Sequence, residues 1–130
     1  MNIRGECGVN GNRFLLDTNI LLYVTGDRIK IADLPEGEFF TSFITELEVL
    51  SYPSLTSQEE NQLKHLLQEI PVIDITAEIK ERAIALRKSY RLKLPDAIIA
   101  ATTLQLGATL LTNDKSFLVI KEIQVQSIKV

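Results

Sequence analysis

Short apolar runs alternate with helix-forming segments along nearly the whole chain, and this alternation strongly limits the fold. The apolar runs have the length and the Val, Ile, Phe and Thr content of strands. Strands alternating with helices indicate βαβ crossovers and a mostly parallel sheet, so we expect a three-layer α/β/α sandwich. The predicted strands are 13–17, 38–42, 72–75, 109–112 and at least one within 123–130.

Capping residues mark the predicted helix boundaries. We assign 19–24 to a helix because Asp17 supplies N-cap chemistry and Gly26 a stop, although the Ile, Tyr and Val in this segment favour strands. Ser57 and Glu60 have the spacing of a capping box at the start of another helix. Further helices are expected over 44–52, after Thr76, and from Pro95 to Gly107, the last being apolar nearly all round and therefore buried.

Length and composition indicate an ordinary globular protein. With 130 residues and 45% hydrophobic content, we expect a flexible, glycine-rich leader at 1–12 and a single domain at 13–130. The net charge of −3 argues against a strong, sequence-indifferent nucleic-acid binder. No apolar run approaches the ~20 residues of a membrane span, no secretory signal is visible, and Cys7 is the only cysteine. We therefore expect a cytoplasmic protein without a membrane partner.

Four acidic residues stand where a parallel sheet would place its ligand-binding edge. Asp17 and Asp114 follow apolar strands, whereas Glu48 and Asp96 lie in apolar segments that we assign to early helix. Ligands of open α/β sheets bind beyond the carboxyl ends of the strands. Carboxylates gathered there repel one another, and a hard divalent cation would hold them together. The pattern therefore favours metal-dependent chemistry on phosphate.

Each acid also has an ordinary structural explanation. Asp17 can cap a helix, Asp96 can interact with a helix dipole, and Asp114 suits a turn. Glu48 can simply face solvent. Glu46 is an equally good candidate for the site by spacing, and the two cannot both face it, because residues two apart on a helix point about 200° apart. Taken together, carboxylates flanked by so much apolar sequence still favour a shared cation.

Other catalytic chemistries lack their residues. His65 is the only histidine, so neither a zinc cluster nor a histidine-activated serine or cysteine nucleophile is indicated. No glycine-rich phosphate loop is present. Carboxylate ligands instead suit Mg²⁺ or Mn²⁺.

Four segments, in order, resemble the motifs of the PIN-domain ribonucleases, and the compact size resembles that of VapC-type toxins. Each segment is a weak signal alone, but four in the family's order form a strong one. They are LDTNI at 16–20, SFITELEVL at 42–50, LPDAIIAA at 94–101, and LTND at 111–114 with Phe117. The register of the second motif selects Glu48 over Glu46.

The resemblance implies a PIN-like sandwich and an Mg²⁺- or Mn²⁺-dependent endoribonuclease, with an antitoxin partner and a homodimer as family expectations. It assigns catalytic and metal-site roles to all four acids, and supporting roles to three polar side chains. The acids are Asp17, Glu48, Asp96 and Asp114, and the supporting residues are Asn19, Thr45 and Thr112.

A basic segment over 80–93 supplies the remaining candidate residues. Lys80, Arg87 and Arg91 share a helical stripe, which suits either a solvated helix flank, a phosphate-steering patch, or a contact for an acidic partner. Two other classes remain open for the whole chain: a Mg²⁺-dependent phosphoacceptor domain and a non-catalytic interaction module. A phosphoacceptor would need paired acids near the first strand end and a late lysine, and Lys115 is a poor match.

Overall fold

The computed structural model describes residues 12–130, which form five strands, five α-helices and two short 3₁₀ helices. In chain order they are β1 (Arg13–Leu16), α1 (Thr18–Thr25), a 3₁₀ helix (Ile31–Asp33), β2 (Glu38–Ser42), α2 (Phe43–Leu50), α3 (Ser57–Glu69), β3 (Val72–Ile73), α4 (Ala77–Tyr90), α5 (Leu94–Leu106), β4 (Thr109–Leu111), a second 3₁₀ helix (Lys115–Val119) and β5 (Gln124–Gln126).

The sheet is parallel throughout, with strand order β3-β2-β1-β4-β5. The first strand in sequence is therefore the central one. The chain builds outward through β2 and β3, then returns to the other side of β1 with β4. This reversal creates a topological switch point between β1 and β4, where loops leave in opposite directions and open a crevice at the carboxyl ends of the strands.

Two hydrophobic cores cover the two faces of the sheet, which confirms the α/β/α sandwich. Alternation along β1 sends Phe14 and Leu16 into one core and Leu15 into the other. The first core packs against α1 and α3, and the second against α4 and α5. The predicted burial of the apolar helix is confirmed, since every residue from Ala97 to Thr103 in α5 is buried.

The segment after β1 is helical, as its capping signals predict. Asp17 has extended backbone at the N-cap, and Gly26 follows the last turn of α1. Ile20 and Leu21 are fully buried in the first core. Packing of this apolar face outweighs the strand preference of the side chains.

The capping box of α3 lies one residue earlier than the sequence indicates. Thr56, and not Ser57, is the N-cap: its Oγ1 accepts from the Glu59 N–H at 3.1 Å, and the Glu59 Oε1 accepts from the Thr56 N–H at 3.0 Å. The prediction was wrong because Thr56-Ser57 and Glu59-Glu60 offer two boxes of identical spacing. Leu63, Leu66 and Leu67 of this helix are buried.

The predicted leader at 1–12 lies outside the described residues apart from Asn12. The Asn12 carbonyl oxygen accepts a hydrogen bond from the Glu38 N–H at 2.8 Å. Among the helices of residues 12–130, none combines the length and the hydrophobicity that a membrane crossing would need.

Gly37 cannot carry a side chain without disturbing the start of β1. A Cβ at this position would lie 2.5 Å from the Asn12 carbonyl oxygen and 2.9 Å from Cε2 of Phe14. We expect Gly37→Ala to lower the free energy of unfolding by about 1–3 kcal/mol, because overpacking shifts both neighbours. Urea unfolding followed by circular dichroism measures the loss.

Gly107→Ala is the matched control. Gly107 ends α5 at φ +60, and a Cβ added there would meet no atom within 4 Å, so only the left-handed backbone penalty of about 1 kcal/mol applies. A loss at Gly37 no larger than the loss at Gly107 would contradict the steric argument.

Candidate active site

A pocket of about 480 Å³ opens at the switch point between β1 and β4, and all four acids singled out in the sequence line it. Asp17 follows β1, Glu48 lies in α2, Asp96 in the first turn of α5, and Asp114 in the loop after β4. Residues separated by almost one hundred positions are brought together because β1 and β4 are neighbours in the sheet.

Asp17 is the most buried of the acids, at 6% exposure. Its Oδ1 accepts from the Thr18 N–H at 2.8 Å, and its Oδ2 accepts from the Thr112 hydroxyl at 2.6 Å. Burial raises the pKa of Asp17 above its ordinary value; the two hydrogen bonds lower it in part, and the charges of Asp114 and Asp96 raise it further. Each carboxylate oxygen keeps a further lone pair that these contacts do not use.

Thr112 connects two of the acids. Its hydroxyl donates to Asp17 and accepts from the Asp114 N–H at 3.0 Å, so one buried side chain fixes both the Asp17 carboxylate and the loop that carries Asp114. The Asp114 carboxylate is exposed, and its Oδ1 accepts from the Ser116 N–H at 2.9 Å. Asp114 therefore caps the second 3₁₀ helix while it lines the pocket.

The structure places Glu48, and not Glu46, at the pocket. The Thr18 hydroxyl donates to Oε1 of Glu48 at 2.9 Å, which joins α1 to α2 beside Asp17. Glu46 does not line the pocket. Sequence reasoning missed Thr18, although it stands inside the first motif directly after Asp17.

Asp96 is half-buried in the first turn of α5. Desolvation raises its pKa, the charges of Asp114 and Glu48 raise it further, and Lys93 lowers it. The favourable helix dipole is thus outweighed by burial and by two like charges.

The three supporting polar residues have different surroundings. Thr112 bonds to Asp17 as described, and Asn19 lines the pocket with its Oδ1 buried and lacking a hydrogen-bond partner. Thr45 is fully buried in α2, does not line the pocket, and its hydroxyl also lacks a partner. Of the three, only Asn19 lines the pocket, and Thr112 acts on it through its hydrogen bonds to Asp17 and Asp114.

Arg87 and Arg91 lie away from the acids. Both line a separate groove, together with Lys80, so the predicted basic stripe does form one surface. Arg91 is one residue beyond α4, in the left-handed conformation at φ 55, and Arg87 Nε donates to the Leu92 carbonyl oxygen at 3.2 Å. The structure does not bring these two side chains into the acid pocket.

The donor chemistry of the pocket fits a hydrated divalent cation. Four carboxylates, two with raised pKa, and the unpartnered Asn19 amide oxygen are hard oxygen donors. In residues 12–130, no three acidic, histidine or cysteine side chains are grouped so that they could hold a metal ion on their own. Mg²⁺ commonly keeps several waters and takes only one or two carboxylates, so a wide acidic pocket suits it.

Two apolar or aromatic rim residues were also missed. Tyr52 and Pro53, just after α2, line the pocket, and Tyr52 is 48% exposed. In the sequence, Tyr52 is only an aromatic residue four positions after Glu48, and that spacing does not indicate a place in the pocket.

Family comparison agrees with this arrangement. The PIN domain model matches residues 14–123, which include every motif and all four acids. The chain belongs to the PIN domain family. No curated protein matches the sequence significantly.

Solved structures of similar fold include several toxin–antitoxin complexes. A chain of a toxin–antitoxin complex from Klebsiella pneumoniae is 33% identical, with 84% of this PIN domain protein and 93% of that chain covered and a TM-score of 0.68. A chain of VapBC-1 from nontypeable Haemophilus influenzae is 25% identical. The match covers 88% of this protein and 97% of that chain, with a TM-score of 0.73. A chain of VapBC2 from Rickettsia felis, in a structure bound to a promoter DNA fragment, is 21% identical. The match covers 90% of this protein and 99% of that chain, with a TM-score of 0.78.

Removing one charge from the pocket should stabilise the metal-free protein. We expect Asp96→Asn to raise Tm by about 1–3 °C at pH 7, because the amide is not repelled by Asp114 and Glu48. The folded-state pKa of Asp96 is raised, so acidification protonates it in the fold and relieves the repulsion. The advantage of the variant should therefore shrink as pH falls through the raised pKa, and vanish below 3.8.

Differential scanning calorimetry in EDTA provides the measurement. Glu81→Gln, exposed on α4 outside the pocket, removes the same formal charge and should change stability by less than about 0.5 kcal/mol. An Asp96→Asn Tm equal to or below that of the unaltered protein at pH 7 would count against the repulsion.

Proposed function

We propose that this PIN domain protein is a divalent-metal-dependent endoribonuclease that acts in the cytoplasm as the toxin of a toxin–antitoxin pair. The observation that carries the proposal is the convergence of Asp17, Glu48, Asp96 and Asp114 on one pocket at the switch point of a parallel sheet. Four carboxylates from four elements that share a partly desolvated site favour a bound divalent cation and chemistry on phosphate.

Mg²⁺ or Mn²⁺ is the cofactor that these donors favour. Asp17 and the neighbouring carboxylates would hold it, with the Asn19 amide oxygen as a further polar neighbour. When bound, such a cation supplies an acidified water near neutral pH and stabilises the charge that develops on a phosphodiester.

The side chains of the pocket would also position the carboxylates and take part in proton transfer. Asp17 is held in one orientation by the Thr18 N–H and the Thr112 hydroxyl, and Glu48 is held by the Thr18 hydroxyl. Preorganised ligands need little rearrangement when substrate arrives. Asp96 lines the same pocket, and its carboxylate would serve as a further ligand of the cation or as a proton acceptor.

RNA is the substrate class that the rim of the pocket favours. Tyr52 exposes almost half of its side chain at the edge of an acidic site, where it offers a flat face for a nucleobase. Stacking on an aromatic ring is the common way in which proteins hold unpaired bases without reading their sequence. With a net charge of −3, overall electrostatic attraction to RNA would be weak, so such a contact would add to binding.

An antitoxin and a second copy of the chain are the proposed partners. The proposal of an antitoxin is supported by the structural neighbours, which include toxin–antitoxin complexes from several bacteria. Self-association is proposed on family resemblance alone.

The first test is cleavage of labelled RNA by the purified protein with Mn²⁺ or Mg²⁺. We expect scission that EDTA abolishes, and a loss of at least about 100-fold in rate for Asp17→Asn and for Glu48→Gln, because both carboxylates line the pocket. Denaturing gels of the products over time give the rates.

Glu46→Gln provides the matched control. Glu46 lies two residues from Glu48 on the same helix but outside the pocket, so its substitution should leave the rate within about threefold of the original. RNA that stays intact with every metal and sequence would favour a non-catalytic interaction module. Phosphate incorporation at an aspartate without scission would favour a phosphoacceptor domain.

Tyr52 should contribute to RNA binding through its ring and not through its hydroxyl. Stacking is worth about 1–3 kcal/mol per base, so Tyr52→Ala should raise KM about 5- to 100-fold with a smaller change in kcat. Tyr52→Phe should keep the original KM because the aromatic face remains. Steady-state kinetics on a short single-stranded RNA measure both. Equal KM values for the alanine and phenylalanine variants would refute the stacking role.

A further inference from the structure

A smaller cavity, of about 340 Å³, adjoins the acid pocket at Asp114, which lines both. Cavities that hold small ligands begin at roughly 300 Å³, so this one has room for a group the size of a nucleotide. We name it the side cavity; its other lining residues are Thr112, Asn113, Lys115, Leu118, Val125 and Ser127.

The side cavity opens at the same edge of the sheet as the acid pocket. Residues 112–115 follow β4 directly, and Ser127 follows β5, so both cavities lie beyond the carboxyl ends of parallel strands. This edge is where open α/β sheets bind their ligands. An RNA strand that extends past Asp114 along the edge would therefore enter the side cavity.

Two polar side chains of the side cavity are already bonded within the fold. Thr112 holds two of the acids as described above, and the Asn113 amide donates to the Ile128 carbonyl oxygen at 2.9 Å and accepts from the Ile128 N–H at 2.8 Å. Lys115 and Ser127 are exposed, and Lys115 forms no salt bridge with another residue of the range 12–130. The ammonium of Lys115 is thus available to an incoming anion.

Lys115 supplies positive charge beside the acids. It follows Asp114 directly, and no other lysine or arginine of the described residues 12–130 lines either cavity. If one phosphate of an RNA strand lies at the acids, the next lies one nucleotide further along, where the same carboxylates repel it. A lysine ammonium binds phosphate as a point charge, and a serine hydroxyl such as that of Ser127 can donate a hydrogen bond to it.

The aliphatic walls of the side cavity favour a whole nucleotide over a bare anion. Leu118 and Val125 form these walls, and free phosphate would gain nothing from them. A base has an apolar face, and proteins hold bases against apolar as well as aromatic side chains. An acidic protein segment would also match the charge and the walls, but the shared residue Asp114 joins this cavity to a site suited to phosphate chemistry, which favours RNA.

We infer that the side cavity is a substrate subsite, which holds the nucleotide on one side of the cleaved bond and places the next phosphate at Lys115. The inference rests on the proposed endoribonuclease function and extends it to a binding group outside the acid pocket. An amide such as that of Asn113 can read the edge of a base, but here it is bonded to Ile128. We therefore expect the subsite to accept any base.

The first test measures RNA binding in the Glu48→Gln background, whose slow turnover, as predicted above, leaves the strand intact. Fluorescence anisotropy with Mn²⁺ follows a labelled single-stranded RNA of about 12 nucleotides. Adding Lys115→Gln should weaken binding about three- to tenfold. It should also reduce the slope of log affinity against log salt by about 0.7, the value for one phosphate contact on a single strand.

Two further variants show whether the charge at this position is responsible. Lys115→Arg should bind RNA more tightly than Lys115→Gln and restore the salt slope, because the positive charge remains. Lys121→Gln removes the same charge from an exposed residue that lines neither cavity, and should change the affinity by less than about twofold. Thermal melts verify that each variant is folded.

The second test separates a subsite from general attraction of RNA, and uses the protein with Glu48 intact. Two substrates are shortened, one from each end, so that no phosphate remains beyond the first nucleotide on that side of the cleaved bond. Lys115→Gln should raise KM about three- to tenfold for one of them, with little change in kcat. The other lacks the phosphate that Lys115 binds, so its KM should change by less than about twofold.

Three results would overturn the inference. The first is a loss of RNA affinity in Lys115→Gln no larger than that in Lys121→Gln. The second is an equal rise in KM for both shortened substrates, which would make Lys115 a general attractor of RNA. The third is a Lys115→Arg variant that binds no better than Lys115→Gln. RNA that binds through Lys115 but is never cut would refute the proposed function alone, whereas cleavage that does not depend on Lys115 would refute the subsite alone.

Discussion

The parallel pairing of β1 with β4 is the constraint on which the acid pocket depends. The register sets Leu16 opposite Leu111, and the Asp17 N–H continues the ladder to the Leu111 carbonyl oxygen at 3.1 Å. Asp17 and Thr112 then leave their strands at the same level and bond to each other. A slip of β4 by one residue would turn Leu111 to the opposite face and break the contact between Thr112 and Asp17.

The carboxylates of the pocket repel one another, and neighbouring groups offset only part of that repulsion. Thr18 and Thr112 donate hydrogen bonds to Glu48 and Asp17, and Lys93 offsets some of the charge on Asp96. Burial nevertheless keeps the pKa of Asp17 raised. Active sites commonly trade stability for such preorganised charge, and a bound cation would recover it.

The architecture could be predicted from sequence because strand and helix periods alternate cleanly, whereas short-range registers could not. Two equally spaced capping boxes compete at the start of α3, and their spacing in the sequence does not distinguish Thr56 from Ser57 as the N-cap. The order of the strands was also inaccessible, since apolar runs do not encode their neighbours. The final strand covers only Gln124–Gln126, and beyond it the Asn113 side chain bonds to both backbone groups of Ile128.

The acids of the pocket were predictable from their position after apolar runs, and the register of the second motif distinguished Glu48 from Glu46. The roles of Thr18 and Tyr52 could not be predicted, because they depend on contacts between elements. Thr18 bonds to Glu48 in α2, and Tyr52 lines the acid pocket. Thr45 shows the opposite error, as a motif position whose side chain is buried away from the pocket.

The central strand of the sheet is also the first to be synthesised. The second hydrogen bond of Asp17 cannot form until Thr112, 95 positions later, has been synthesised. Contacts of such sequence separation form late in folding. A nascent chain therefore lacks Asp114 and the Thr112–Asp17 contact until β4 and the loop after it have been synthesised, so the activity proposed above would be confined to the nearly complete domain.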